Sequence, residues 1–253
     1  MRLHLCTWPE VEQYLKNSPG IIIPIGSTEQ HGPTGFIGTD SLCPEIISSA
    51  IAKKTGAMIA PTISIGMAQH HLGFPGSITL RPSTLIEVIV DIVRSLACHG
   101  FTRFFFLNGH GGNIATISAA FSTLYAENSL ALSNSNKLNI RCHLQNWWSC
   151  DAVNQLSRTL FGNSDGSHAT ASEVSVTYFG YPDEVERVRS TGKLIPEVAP
   201  TGPIYDSDDY RNRFPDGRIG SDPTLATIEA GKQLCEASAL ELSKLYENFV
   251  SAP

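Results

Sequence analysis

The sequence predicts an α/β fold in a single domain covering residues 1–253: a mainly parallel β-sheet flanked by helices on both faces. Three observations predict it. Short apolar runs alternate with longer helical patterns along the chain, the order that builds a parallel sheet. Two of those runs, Ile21-Ile22-Ile23-Pro24-Ile25 and Phe104-Phe105-Phe106-Leu107, are apolar at consecutive positions, as strands covered on both faces must be. No internal repeat and no composition break divides the 253 residues, and a chain of that length buries roughly three-quarters of its unfolded surface.

The elements follow in order. Thr7 caps a short helix with Pro9 in its first turn, and Gly20 ends the turn after it. The strand Ile21 to Ile25 runs into a Gly-rich loop from Gly26 to Gly38. A helix from Asp40 to Lys54 is stopped by Gly56. Ala57 to Ala60 is a second short strand, followed by a long loop from Pro61 to Gly76. Leu85, Val88, Ile89, Ile92, Val93 and Leu96 recur at amphipathic helix spacing. After the strand at Phe104 to Leu107 comes a tight turn, Asn108-Gly109-His110-Gly111-Gly112, and a helix beginning near Asn113. Asn134-Ser135-Asn136 reads as an exposed loop and Leu138 to Gln145 as a further strand. Residues 180–222, rich in Pro, Gly and Asp, read as irregular. Asp222-Pro223 starts the last helix, with Leu242, Leu245, Tyr246 and Phe249 on one face.

Composition excludes several classes. The chain is 42% hydrophobic and 17% charged with mean hydropathy −0.04, the mark of a soluble globular protein rather than a disordered or fibrous one. With 18 Lys+Arg against 24 Asp+Glu the net charge is −6, which argues against nucleic acid or an anionic membrane as partner. The longest apolar runs are too short to span a bilayer, and the N-terminus lacks the apolar core of a signal peptide. The six cysteines form no CxxC pair, so the reading is a reduced, cytoplasmic protein with the cysteines as small core residues. The GxSxG, HExxH, GxGxxG and GxxxxGK[ST] motifs are all missing.

Ligands of parallel sheets sit beyond the carboxyl ends of the strands. Two strands here run straight into loops bearing metal-capable side chains: Gly26-Ser27-Thr28-Glu29-Gln30-His31-Gly32, with Asp40 beyond it, and Asn108-Gly109-His110. In an extended segment Glu29 and His31 point to the same side. A carboxylate with an imidazole suits Zn²⁺, Mn²⁺ or Fe²⁺. Asp40 opens a helix, where the dipole favours its anion, and its two oxygens could bridge two ions. Taken singly, each has a plainer reading: a solvated loop, a helix cap, a turn residue. A third candidate segment, Asp165 to Glu173, puts His168 at a helix entrance and Glu173 inside the helix; a satisfied polar pair is the plainer alternative. Asp165 either orients His168 or caps the helix. His70-His71 is a weak signal that could be surface. Ser77, in the turn Gly73-Phe74-Pro75-Gly76-Ser77, either binds substrate or bonds its own backbone. Trp147-Trp148 is pocket wall or core.

Together these segments, with Gly220-Ser221-Asp222-Pro223, resemble the creatininase (creatinine amidohydrolase) family over residues 5–245. The resemblance implies a creatininase-like α/β hydrolase that cleaves C–N amide bonds with two divalent ions and assembles as a homohexamer. It further implies that Glu29 and His110 bind one metal, His31 the other, and Asp40 both. Where creatininase has His-Tyr-Glu-Asn, this chain has His110-Gly111-Gly112-Asn113, so one expected carboxylate is missing and Glu173 is the local substitute. The Gly-Gly version also occurs in deformylases of formamidopyrimidine nucleotides and in peptidases of cofactor biosynthesis.

The metal chemistry then suggests that a bridging hydroxide attacks a small cyclic or linear amide. His168, held by Asp165, protonates the leaving nitrogen. Ser77, Trp147, Trp148 and Gly111 place the substrate. The alternatives are a formamide deformylase on a nucleotide-like substrate, or a metal-binding member of the family without catalysis.

Overall fold

A computed structural model describes residues 1–131, 137–192 and 198–252. Four strands form one parallel sheet in the order β2-β1-β3-β4: β1 (Gly20–Ile25), β2 (Met58–Ile59), β3 (Arg103–Asn108) and β4 (Arg141–Asn146). The α-helices among the described residues are α1 (Trp8–Leu15), α2 (Thr39–Thr55), α3 (Pro82–Ala97), α4 (Ile114–Leu130), α5 (Asp151–Phe161), α6 (Ala171–Gly180), α7 (Val185–Thr191), α8 (Ser207–Arg213) and α9 (Ile228–Ser251).

The continuous apolar strands do what a two-sided sheet requires. Successive side chains point to opposite faces. On β1, Ile22 enters one core and Ile21, Ile23 and Ile25 the other; on β3, Phe105 and Leu107 part from Phe104 and Phe106 in the same way. The first core is closed by α2, α5, α6 and α9, the second by α1, α3 and α4. Helices therefore cover both faces, and the fold class is that of the sequence.

Local signals set many boundaries. Glu10 Oε2 accepts the Thr7 N–H at 2.6 Å at the start of α1, and Gly56 takes the left-handed conformation (φ 73°) that ends α2. Other expectations need correction. The segment 180–222 is not wholly irregular, since it holds α7 and α8. Asp206 caps α8 by accepting the Asp208 and Asp209 N–H groups, and Tyr210 and Phe214 pack into a small core with Phe74 and Ile219. Asp222-Pro223 begins only a 3-10 turn, Pro223–Leu225; the last helix starts at Ile228, capped by Thr227. Helix α5 carried no signal that the sequence reading used. The Asn134-Ser135-Asn136 loop lies outside the described residues. Cys43, Cys150 and Cys235 are buried as expected of core residues, but Cys98 is exposed. Among the described residues no helix is long and apolar enough to cross a membrane.

Candidate metal centre

The carboxyl ends of β1 and β3 lie side by side, and the start of α2 rests against both. Gly26 and Gly109 make that approach possible: a Cβ on either would stand about 2 Å from the Asp40 carbonyl oxygen, 2.0 Å from Gly26 and 1.9 Å from Gly109. The glycines after the two strands thus bring Asp40 beside Glu29, His31 and His110. Asparagines lock the loops. Asn108 Nδ2 donates to the His110 carbonyl at 2.7 Å, and Asn113 joins the strand-end loops by donating to the Gly26 carbonyl and accepting from Met67 N–H.

The resulting cluster is buried. Glu29 and His31 are fully covered, and Asp40, His110 and His168 are nearly so. Asp40 Oδ1 lies 2.9 Å from His31 Nε2, and Asp40 Oδ2 lies 2.8 Å from His110 Nδ1. Glu29 Oε2 is 3.4 Å from His110 Nε2, and Glu29 Oε1 is 3.8 Å from His168 Nδ1. Glu173 Oε1 is 3.9 Å from His31 Nε2. Three overlapping groups hold their ligand atoms close enough to share a metal ion: Glu29, His31 and His168; Glu29, Asp40 and His110; His31, Asp40 and Glu173.

The donor chemistry fits divalent ions. Both Glu29 oxygens and Asp40 Oδ2 are buried and face histidine ring nitrogens, an arrangement that costs free energy unless a proton or a cation lies between them. Each clustered histidine has one ring nitrogen against a backbone carbonyl: His31 Nδ1 on Glu29, His110 Nε2 on Met67, His168 Nε2 on Gln30. A nitrogen facing a carbonyl must carry a proton, so the other nitrogen turns toward the carboxylates, where a cation can take the place of a proton. Metal-binding histidines show this pairing.

The electrostatics agree. Burial alone would lower the pKa of His31, but Asp40, Glu173 and Glu29 overcome it and push it up to about 10. The same contest, with Glu29 and Asp40 against burial, raises His110 to about 9. Burial resists the Asp40 anion, yet His31 and His110 hold its pKa well below the usual range. Burial raises Glu173 to about 7. His168 goes the other way: burial, then His71 and His31, hold it neutral. A site that concentrates carboxylates around imidazoles attracts protons and divalent cations for the same reason.

A cavity of about 550 Å³ opens on this cluster. Trp147 and Trp148 line it, so both belong to the pocket wall, and Trp147 is at the same time 1% exposed and packed in the first core. Gly111 lines it too, and a Cβ there would meet nothing within 4 Å. Gly112 is different, because a Cβ would stand 2.5 Å from His110 Nε2 and 2.8 Å from the Met67 carbonyl. The carboxylate missing at that position therefore has no room while His110 keeps its present seat.

Two sequence expectations are corrected. Asp165 borders the cavity but does not hold His168; its carboxylate accepts the Ser172 N–H at 2.8 Å and the Ser172 hydroxyl at 3.0 Å, at the start of α6. Ser77 does not border the cavity; its hydroxyl accepts the Gln30 N–H at 3.2 Å and braces the Glu29–His31 loop from outside. Glu173 also has a structural task, since its Oε1 closes a capping box by accepting the Thr170 N–H at 2.6 Å.

The sequence reading missed three residues. His70 and His71 are buried and face the cavity, and His71 Nε2 lies 2.9 Å from Glu29 Oε1. The ring of His71 stacks on His168, with centroids 4.4 Å apart. Gln30, flanked by two candidate ligands, places its amide between His71 and His168. The weak His70-His71 pair was the only local signal, and it resembled a surface loop.

Comparisons with known proteins complete the picture. The creatinine amidohydrolase family profile matches residues 4–246. A mycofactocin precursor peptide peptidase of Mycobacterium ulcerans is 30% identical over 227 residues, covering 85% of this chain and 80% of that protein. The creatinine amidohydrolase of Pseudomonas putida is 28% identical over 236 residues, 91% of this chain and 90% of that one. The solved structure "Creatininase Mn" superposes with a TM-score of 0.83 at 23% identity, covering 99% of each chain, which shows the shared fold. With residues 4–246 matched and the strand-end cluster in place, this chain belongs to the creatininase family, in which the matched relatives are named as hydrolases and peptidases.

Proposed function

We propose that the protein is a hydrolase of a C–N amide bond that works with two divalent ions, Zn, Mn or Fe. Glu29, His31, Asp40, His110 and Glu173 would hold the ions. The observation that carries the reading is the set of imidazole nitrogens and buried carboxylate oxygens converging beneath one cavity. Bound ions would supply an acidified water and a Lewis acid for the amide carbonyl.

The protein's own groups do the rest. Asp40 presents one oxygen to His31 and the other to His110 and would contribute to both sites. His168 is neutral, with Nδ1 free toward the cavity. It takes the proton that the attacking water loses as the C–O bond forms. It returns that proton to the nitrogen as the C–N bond breaks and the electron pair goes to nitrogen. Trp147, Trp148 and Gly111 give the substrate an apolar wall with an open corner.

A small cyclic or linear amide fits this site, as the family's name suggests. The cavity volume and the 30% identity to a peptidase favour a second reading, an amide within a peptide. The deciding experiment joins elemental analysis to a substrate panel of creatinine, hydantoins, formamides and short peptides. Metal uptake near two per chain with turnover of one class supports the proposal. No uptake from Zn²⁺, Mn²⁺ or Fe²⁺ would end it. The homohexamer implied by the resemblance is tested by light scattering, as a mass six times 27.4 kDa.

A further inference from the structure

We propose that Gln30 is a positioning residue that fixes which nitrogen carries the proton in both His71 and His168, and so hands the candidate centre two imidazoles in defined tautomers. The inference takes the hydrolytic reading of the site as its frame. Gln30 lies between Glu29 and His31, yet its side chain turns away from them and is 7% exposed. Its orientation is not ambiguous. Oε1 sits 2.9 Å from Gly32 N–H, which can only donate, so the other terminal atom is the NH₂ nitrogen. That nitrogen is 2.9 Å from His71 Nδ1, from His168 Nε2 and from the Gly217 carbonyl, and 3.4 Å from Tyr210 Oη.

Proton counting assigns the rest. The amide has two hydrogens. The Gly217 carbonyl can only accept, so one hydrogen goes there, beside the Tyr210 hydroxyl that donates to the same oxygen at 2.7 Å. His168 Nε2 is also 2.8 Å from the backbone carbonyl of Gln30, another pure acceptor. His168 therefore carries its proton on Nε2 and needs none from the amide. The second amide hydrogen goes to His71 Nδ1, which must be bare. His71 then has its proton on Nε2, the nitrogen 2.9 Å from Glu29 Oε1, and His168 shows a bare Nδ1 to the cavity side of Glu29.

The chain is shaped around this amide. Gly217 has φ +87°, and a Cβ there would stand 1.8 Å from Gln30 Oε1, so only glycine lets the loop close on the side chain. Tyr210 is fully buried beside it, with its ring 4.8 Å from that of His71. Residues 30, 71, 168, 210 and 217 meet at one group, although the sequence scatters them.

The test reads nitrogen-15 chemical shifts of the histidine rings in the full-length protein, as isolated and after loading with Zn²⁺. Protonated Nε2 with unprotonated Nδ1 is expected on both His71 and His168. A bare Nε2 on either overturns the proposal, and this measurement needs no variant. Gln30→Met removes both amide hydrogens without adding charge, and should shift the His71 Nδ1 resonance. It should also lower kcat about 10–100-fold, as loss of an orienting partner does, with KM and metal content held. Unchanged shifts and kcat in the folded variant overturn the assignment. The tautomers are read without substrate, so they stand or fall separately from amide hydrolysis.

Discussion

Asp40 is 3% exposed, and each of its oxygens meets a different imidazole. Its oxygens meet His31 and His110, which the resemblance assigns to different ions, so Asp40→Ala should lose both metals, whereas loss of a ligand to one ion should spare the other. Elemental analysis of the two variants side by side checks this. The next pair separates chemistry from architecture. His168→Ala should keep its metals and fold but lose about 10²–10⁴-fold in kcat, the usual share of proton transfer. Asp165 bonds Ser172 rather than His168. Asp165→Ala should therefore cost about 1–3 kcal/mol of stability, the worth of hydrogen bonds to a charged group, with kcat falling far less. Denaturant titration and kinetics on one preparation of each distinguish them. Equal losses of kcat would restore Asp165 as the orienting partner of His168.

At the scale of elements, the centre exists because α2 begins where β1 and β3 end. Asp40 is delivered by the seating of a helix against two strands, and the seat is made of glycine. A methyl at residue 109 would lie 1.9 Å from the Asp40 carbonyl and 2.7 Å from Pro44 Cδ. Gly109→Ala should therefore force α2 away from β3, costing about 1–3 kcal/mol as overpacking does. Metal affinity should drop although no candidate ligand is changed. Isothermal titration with Zn²⁺ against thermal unfolding reads both effects; wild-type affinity in the variant would mean the loop absorbs the methyl. Helix α6 carries a related tension. Glu173 serves both its capping box and the cluster, so the start of that helix and the third carboxylate are one structure.

For the whole molecule, the two cores lie on opposite faces of the sheet, and the candidate centre lies at its carboxyl edge among loops from both halves of the chain. Those loops bring buried carboxylates and imidazoles together at one point, so the folded chain should gain stability from any cation it binds there. Binding to the folded state alone adds RT ln(1 + [L]/Kd), about 2.7 kcal/mol at a hundredfold excess over Kd. Chelation should thus lower Tm by several degrees, and Zn²⁺ or Mn²⁺ should restore it in proportion to the logarithm of concentration. Differential scanning calorimetry decides it. A Tm indifferent to chelator and metal would count against a cation holding the centre together.

The fold class and most of the elements are legible in the local pattern of the chain. Strand β1 writes its two-sided burial as consecutive isoleucines, and α3 writes its single buried face as a period near 3.6, because both depend on neighbours in the chain. That pattern also placed Glu29, His31, Asp40 and His110 near one another, since ligand-bearing loops follow parallel strands. Tertiary structure alone decided the rest. The His70-His71 pair is a weak signal in the chain, yet His71 is buried; Asp165 could orient His168 or cap a helix, and it bonds Ser172; nothing local marks Gln30, which joins two imidazoles. The short helices α7 and α8 were unreadable because α8 is held by Tyr210 and Phe214 packing on Phe74 and Ile219. The partners of Gln30 lie 41, 138 and 187 residues away. No periodicity records contacts of that range, because they exist only once the sheet has set where its loops meet.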